Sequence, residues 1–326
     1  MKAIVARIAQ SLGLILAVIV LNFFLIQIAP GDAATAIAGD QSASDPAVLE
    51  QIREQYGLDE PLVVQLGIYI GNVVQGDLGT SIWFNEPVTE LLKDRIWPTV
   101  LLSAASLTFA VVFGVIIGTI AARRPDSLLS HSTTVLALVG FSMPAFWTGL
   151  LLLIIVGVNV DFFPVSGIHD LDFEGNWFQS WLDVGQHLIL PALTLGIIYL
   201  AQYSRLSRAS MLEVLESDYV RTARAKGLSE RSVTFKHGLR NGIIPVVTII
   251  GLQFGAVMSG AILVESVFAW PGLGRLAFEA VSRRDTPVLL GVLLLVSVTV
   301  IIANLLTDLV YRLIDPRIRV SGGANG

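Results

Sequence analysis

Residues able to do chemistry are few in this chain and unevenly placed. Cysteine is absent, which removes thiolate nucleophiles, disulfides and Cys-based metal sites. The four histidines, at 131, 169, 187 and 237, form no HxxxH or HExxH pair, which argues against a dedicated metal site. No G-x-x-x-x-G-K-[ST] loop occurs, so the chain cannot itself cradle the phosphates of ATP. What remains is one charged stretch, Tyr203 to Pro245. It carries eight basic residues (Arg205, Arg208, Arg221, Arg224, Lys226, Arg231, Lys236, Arg240) against four acidic ones (Glu213, Glu216, Asp218, Glu230). The chemistry open to such a stretch is electrostatic recognition, of an anionic lipid surface or of a groove in another protein.

The elements that must position it are apolar. Of 326 residues 54% are hydrophobic and 14% charged, against about 25% charged in ordinary soluble domains. Runs of about 20 apolar residues indicate an all-α protein that crosses a membrane repeatedly. Ile8 to Ile28 is an uncharged run behind Lys2 and Arg7, long enough to span. A signal peptide with a cleavage site near Ala36-Ile37-Ala38 is the alternative, but its apolar core would be shorter, about 7–15 residues. Five more spans are predicted over 99–122, 132–156, 187–204, 243–264 and 288–311. Residues 29–98 form an acidic insert between the first two, with short helices starting near Asp45-Pro46 and Glu60-Pro61 and a stop at Gly57. Residues 313–326 form a tail. With the N-terminus inside, 15 of the 21 Lys and Arg residues fall on the inner face. That asymmetry places both termini, and the loop 205–245, in the cytoplasm. The outer loop 157–186 has five acids, no Lys or Arg, and Trp177 and Trp181 suited to the headgroup region.

Within the spans the polar residues are nearly all neutral, among them Asn22, Gln27, Gln202, Gln253 and Asn304. Ion-coupled transporters need ionisable or ion-coordinating groups near the midplane, and a selective channel needs a charged ring or carbonyl filter. Both classes are disfavoured. Small residues recur every fourth position in Ala110, Gly114, Gly118, Ala122 and in Gly251, Gly255, Ser259. Such a face lets another backbone come close, from this subunit or from a second one. Pro144 should kink the third span. Ser142, Pro144, Gln253 and Ser259 are candidates to line a path, although Gln253 could equally bond a neighbouring helix.

In the charged loop, Asp218 can cap a helix over Tyr219–Lys226, Gly227 supplies a left-handed stop, and Ser229 can cap a second helix through Arg240. Pro245 follows at the return to the membrane. Two short helices at a glycine elbow would form a compact knob.

These residues carry a resemblance. Arg221-Thr222-Ala223, Gly227 and the run Asn241-Gly242-Ile243-Ile244-Pro245 resemble the EAA loop of ABC importer permeases. DYVRTARAKGLSERSV and HGLRNGIIPVV are closest to the dipeptide/oligopeptide/nickel branch. QIAPGD, YGLDEPLVVQ, GDLGTS, RIWPT, SMPAFW, FFPVSG, LILPALTLG, VESVFAWPGLG and LIDPRIR are similar to that branch, in the same order, over about residues 1–320. The resemblance implies a type I ABC importer permease fold of six transmembrane helices with a small extracytoplasmic insert after the first. It implies that Asp218, Tyr219, Arg221, Thr222, Ala223, Gly227 and Pro245 couple the chain to an ATPase. The chain departs from the general pattern, which begins with Glu where Arg221 stands here. Its Gly227-to-Pro245 distance of 18 positions is also longer. Asp218, one turn earlier, could replace that acidic charge.

The function so implied is a permease subunit of an ATP-driven importer of di- and oligopeptides, in a bacterial inner membrane. Nickel, glutathione, opines or oligosaccharides are the alternative cargoes. The chain itself would be non-catalytic and hold no cofactor or metal, with ATP and Mg bound by partners. Those partners would be a homologous permease, giving a heterodimer, one or two ABC ATPases, a solute-binding protein outside, and membrane lipid, with no nucleic acid. Competing readings are a secondary transporter and an intramembrane protease. The paired Asp, Ser/His or HExxH groups of such a protease are missing from the spans.

Overall fold

The structure is a computed structural model that describes residues 2–28, 34, 35, 46–81, 83–170 and 173–314. Ala36-Ile37-Ala38, the Asp45 cap and the tail after residue 314 lie outside these. The described residues are helical apart from turns and one isolated β-bridge, Thr80 to Pro87. The elements are α1 (Lys2–Ile28), α2 (Pro46–Tyr56), α3 (Leu62–Gln75), α4 (Val88–Arg123), α5 (Leu128–Ser142) and α6 (Ala145–Leu152), the last continued by a π-helical turn (Leu153–Gly157). Then come α7 (Trp177–Leu215), α8 (Asp218–Ala225), α9 (Glu230–Ser232), a π-helical turn (Val233–Gly238), α10 (Leu239–Gly242), α11 (Ile244–Val267), α12 (Leu273–Arg283) and α13 (Thr286–Ile314). They divide into two compact units, one of residues 1–99 and 271–326, the other of residues 100–270.

In the first unit, α1 lies along α13, and Asn22 Nδ2 donates to the Leu290 carbonyl at 3.1 Å. The insert helices dock on α1 through an amide relay. Gln27 Nε2 donates to Gln65 Oε1 at 2.7 Å, and Gln65 Nε2 donates to the carbonyls of Leu58 and Glu60. Gly57, at φ +60°, makes the turn between α2 and α3, as its position predicts. Val88, Leu92, Leu273, Leu276 and Val288 form a buried core. Thr99 Oγ1 accepts from Leu273 N at 2.7 Å, so the hydroxyl satisfies an orphan amide of α12 where Gly272 has no side chain to do it.

In the second unit α7 is the central post, packed by α5, α6 and α11. Asn176 and Gln179 form a reciprocal capping box, so the helix starts ten residues before the predicted span at 187. It continues eleven residues past 204. The small-residue face of α4 is used inside this subunit: a Cβ on Gly118 would lie 2.4 Å from the Ser204 carbonyl oxygen, and one on Gly114 would lie 2.8 Å from Tyr203 Cβ.

Four described helices are long and apolar enough to cross a membrane: Ala6–Ile28, Val88–Arg123, Trp177–Leu215 and Thr286–Leu305. A fifth is obtained if Ile244–Ile250 and Gln253–Val267, bent by 48°, count as one span. The predicted span 132–156 is not one helix. It breaks at Met143 and Pro144, both extended, because the proline ring cannot follow a helical residue without steric conflict and has no N–H to donate.

Candidate functional site

The predicted knob is a folded object. The chain leaves α7 at Leu215, turns through Glu216 and Ser217, forms α8, reverses at Gly227 and returns through α9, its π-helical turn and α10. Its inside is apolar. Met211, Leu215, Val220, Ala223 and Val233 are buried together with Ala122, and Leu212, Val214 and Leu239 pack against them. Burying each of the larger of these side chains stabilises by about 1.5–3 kcal/mol. Gly238 and Gly242 are where Met211 lies closest. A Cβ on Gly242 would sit 2.3 Å from Met211 Sδ, and one on Gly238 3.2 Å from Met211 Cε.

Polar links fix the angle between the two arms. Asn241 Nδ2 donates to Tyr219 Oη at 2.9 Å, joining α10 to α8. Arg224 Nε donates to Glu230 Oε1 at 2.9 Å, and its Nη1 donates to the Leu215 carbonyl at 3.2 Å, so one guanidinium ties α7, α8 and α9. Gly227 stands at φ +75° with open space where a Cβ would go, so the backbone conformation alone favours glycine there. The Ser229 cap forms as predicted, accepting from Ser232 N. The Asp218 cap does not. Ser217 holds the extended N-cap position and Asp218 is the first helical residue, its carboxylate 3.7 Å from Arg221 Nη1. With the two side chains 99% and 71% exposed, that ion pair is too solvated to hold the helix.

Of the predicted coupling residues, Asp218, Tyr219, Arg221, Thr222 and Gly227 are exposed, and Pro245 is half-buried at the start of α11. Ala223 faces inward and packs. Leu228 and Phe235 add apolar surface outside, beside exposed Lys226, Arg231, Lys236 and Arg240. Arg224, Asn241 and Met211 lie within the charged stretch, but the roles they play in joining its arms are not legible in the sequence. Their shared signal is tertiary: each joins segments separated along the chain.

Among the described side chains, Gln253 is not brought together with Ser142 and Pro144. Ser142 and Pro144 line an open apolar cavity of about 540 Å³ with Val139, Met143, Phe146 and Trp147, at the break between α5 and α6. Gln253 is not part of that lining and shares a hydrogen bond with Tyr199 of α7, which favours a packing role for its amide. Ser259 is outside the described side chains.

Comparison with known proteins bears on the whole chain. Residues 114–320 match the family described as binding-protein-dependent transport system inner membrane component, and residues 1–103 match its N-terminal companion. The di/tripeptide transport system permease protein of Pseudomonas aeruginosa is 42% identical, covering 96% of this chain and 98% of that one. The glutathione transport system permease protein of Escherichia coli is 44% identical, covering 97% and 98%. The oligopeptide transport system permease protein of Bacillus subtilis is 40% identical over the same shares. Among solved structures, an inward-facing methionine ABC transporter, MetNI, superposes with a TM-score of 0.55 at 17% identity, covering 69% of this chain and 96% of that one. That likeness shows the fold, that of type I ABC importer permeases. The chain therefore belongs to the binding-protein-dependent transport system inner membrane components, multi-pass permease subunits that are not themselves catalytic.

Proposed function

We propose that this chain forms one half of the path of an ATP-driven importer of short peptides, and that the knob at the end of α7 is where a separate ATPase takes hold. The observation that carries the reading is the construction of the knob. It is stiff within, through Met211, Val220 and Val233, and presents Tyr219, Arg221, Thr222 and several free-standing cations to the outside. A lever must be rigid to transmit motion, and a partly exposed aromatic beside basic groups suits a groove in a partner. Because α7 runs unbroken from the knob to Trp177, a displacement of the knob is carried along 39 helical residues.

The distribution of Lys and Arg supports a cytoplasmic knob and cytoplasmic termini. The partners are then a homologous permease, giving a heterodimer, one or two ATPases binding ATP and Mg, and an extracytoplasmic solute-binding protein received by the insert and outer loops. Glutathione, itself a tripeptide, is the second cargo reading, favoured by the 44% identical glutathione permease. Proteoliposomes holding the full complex test both. Uptake of labelled dipeptide should need ATP and the binding protein, and Tyr219→Ala with Arg221→Glu should abolish it while the chain still inserts. Uptake that follows an ion gradient without ATPase subunits would overturn the proposal. Binding assays on the cognate solute-binding protein separate dipeptide from glutathione.

A further inference from the structure

At the opposite end of α7 from the knob, four side chains that the transport reading does not use converge. Asp183 and His187, one turn apart on α7, are 5% and 3% exposed. His169 and Asp170 come from the preceding loop, and Asp170 is 69% exposed at its side chain. Asp183 Oδ2 is taken: His169 Nδ1 lies 2.7 Å away and the Asp170 amide donates at 3.4 Å. Asp183 Oδ1 is buried and makes no hydrogen bond; His187 Nδ1 lies 3.3 Å from it, but its proton goes to the backbone carbonyl. A carboxylate oxygen in that condition costs the fold free energy unless a cation faces it. The stretch 157–186 holds no Lys or Arg that could serve.

The tautomer of His187 sharpens the point. Its Nδ1 lies 2.9 Å from the Asp183 backbone carbonyl, which can only accept, so Nδ1 carries the proton. In the neutral ring Nε2 is then the atom with the lone pair. It faces Asp170 Oδ1 at 3.7 Å, too far for a hydrogen bond. An imidazole whose Nδ1–H is held by a carbonyl while Nε2 faces a carboxylate is oriented as a metal ligand is, with the outer partner already in place. One ligand atom each from Asp170, Asp183 and His187 lies within 4.8 Å of the others. Tetrahedral zinc at bond lengths of about 2.0–2.1 Å needs ligand atoms about 3.3 Å apart, so the cluster closes further around the ion, Asp170 by rotation of its exposed side chain.

We propose that Asp170, Asp183 and His187 form a site for a borderline divalent metal of the zinc class, which pins the end of the loop 158–170 to the head of α7. His169 acts from outside the ligand set by orienting Asp183. The nitrogen ligand disfavours calcium and magnesium, which take oxygen sets. Exposed Asp170 gives the ion its way in from the solvent side of the loop. Asp170 stands 13 and 17 positions before its two partners on α7, which is why the three do not read as a metal-binding motif in the sequence.

The test uses the tag-free full-length chain in detergent micelles, titrated with zinc against a chromophoric chelator and separately with cobalt. The expected result is one equivalent of zinc per chain. Asp170→Asn, on an exposed side chain that the fold does not depend on, should weaken binding ~10-fold or more. Asp183→Asn should weaken it at least as far, and His131→Gln, on an exposed position of α5, should leave it unchanged. Cobalt should give a visible d–d spectrum that Asp170→Asn loses. Equal zinc binding by the wild type and Asp170→Asn, or none by either, would overturn the site.

Discussion

The two ends of α7 are built on opposite plans. At the C-terminal end the chain turns back on itself around buried apolar groups, Met211, Val220 and Val233, and leaves most of its charges in solvent. At the N-terminal end the loop is held by polar groups, the buried Asp183 and His187 and the exposed His169, while Trp177 and Trp181 lie exposed outside. Apolar packing is non-directional and insensitive to an approaching charge, so the knob can meet a charged partner without losing its own shape. A buried carboxylate depends on its few neighbours, so the outer end is stable only while those contacts, or an ion, satisfy it. One end of the same helix is therefore suited to being pushed, and the other to being set by what binds near it.

The largest effect should come from Gly242→Val, whose Cβ would overlap Met211 Sδ and force the arms apart. Overpacking of this kind costs about 1–3 kcal/mol or more. The expected outcome is a chain that inserts but fails to retain ATPase subunits on co-purification. Retention at the wild-type level would show that the knob tolerates opening, against the stiffness argued for it. Gly227→Val comes next, because a β-branched residue at φ +75° is strained by about 1–3 kcal/mol. Protease cutting near residue 227 should rise and coupled ATP hydrolysis fall, with the spans unaffected.

A smaller loss, about 0.5–1.5 kcal/mol, is expected for Asn241→Ala, which removes the bond to Tyr219. Asp183→Asn should instead raise hydrogen exchange in the loop 157–170 and leave the knob as it is. Asp183 lies ~48 Å along the helix from the knob end of α7 at 1.5 Å per residue, so the double variant should be additive. Non-additivity would mean that the ends are coupled through α7. The smallest effect on stability belongs to Asp218→Ala, since its ion pair is solvated. If Asp218 supplies the acidic charge that Arg221 displaced, coupled uptake should fall while thermal unfolding stays put. Unchanged uptake would remove Asp218 from the coupling surface.

Much of the knob is legible one residue at a time. Gly227 and Ser229 announce a stop and a cap through local backbone chemistry, and both form. Asp218 misleads because Ser217, also a good N-cap residue, stands beside it, and composition cannot choose between neighbours. The long spans are legible from their apolar runs, but their ends are not. Asn176 and Gln179 start α7 within a polar stretch, and Pro144, read as a kink, breaks the helix outright where hydropathy runs on without interruption. The site at the head of α7 is illegible for a different reason. His187 and Asp183 share a helix face, but Asp170 reaches them only through the path of the loop.

The order and charge of the segments, set by residue type alone, already determine a multi-pass helical protein with one basic loop, because transfer from water to lipid depends on composition over about 20 residues. Only tertiary structure decides that Gly114 and Gly118 press on α7 within this chain, that Tyr219 meets Asn241, and that a buried oxygen of Asp183 is left to be satisfied. Each of those is a meeting of atoms distant in sequence or hidden from solvent, and such meetings are set by how helices pack against one another rather than by how each forms.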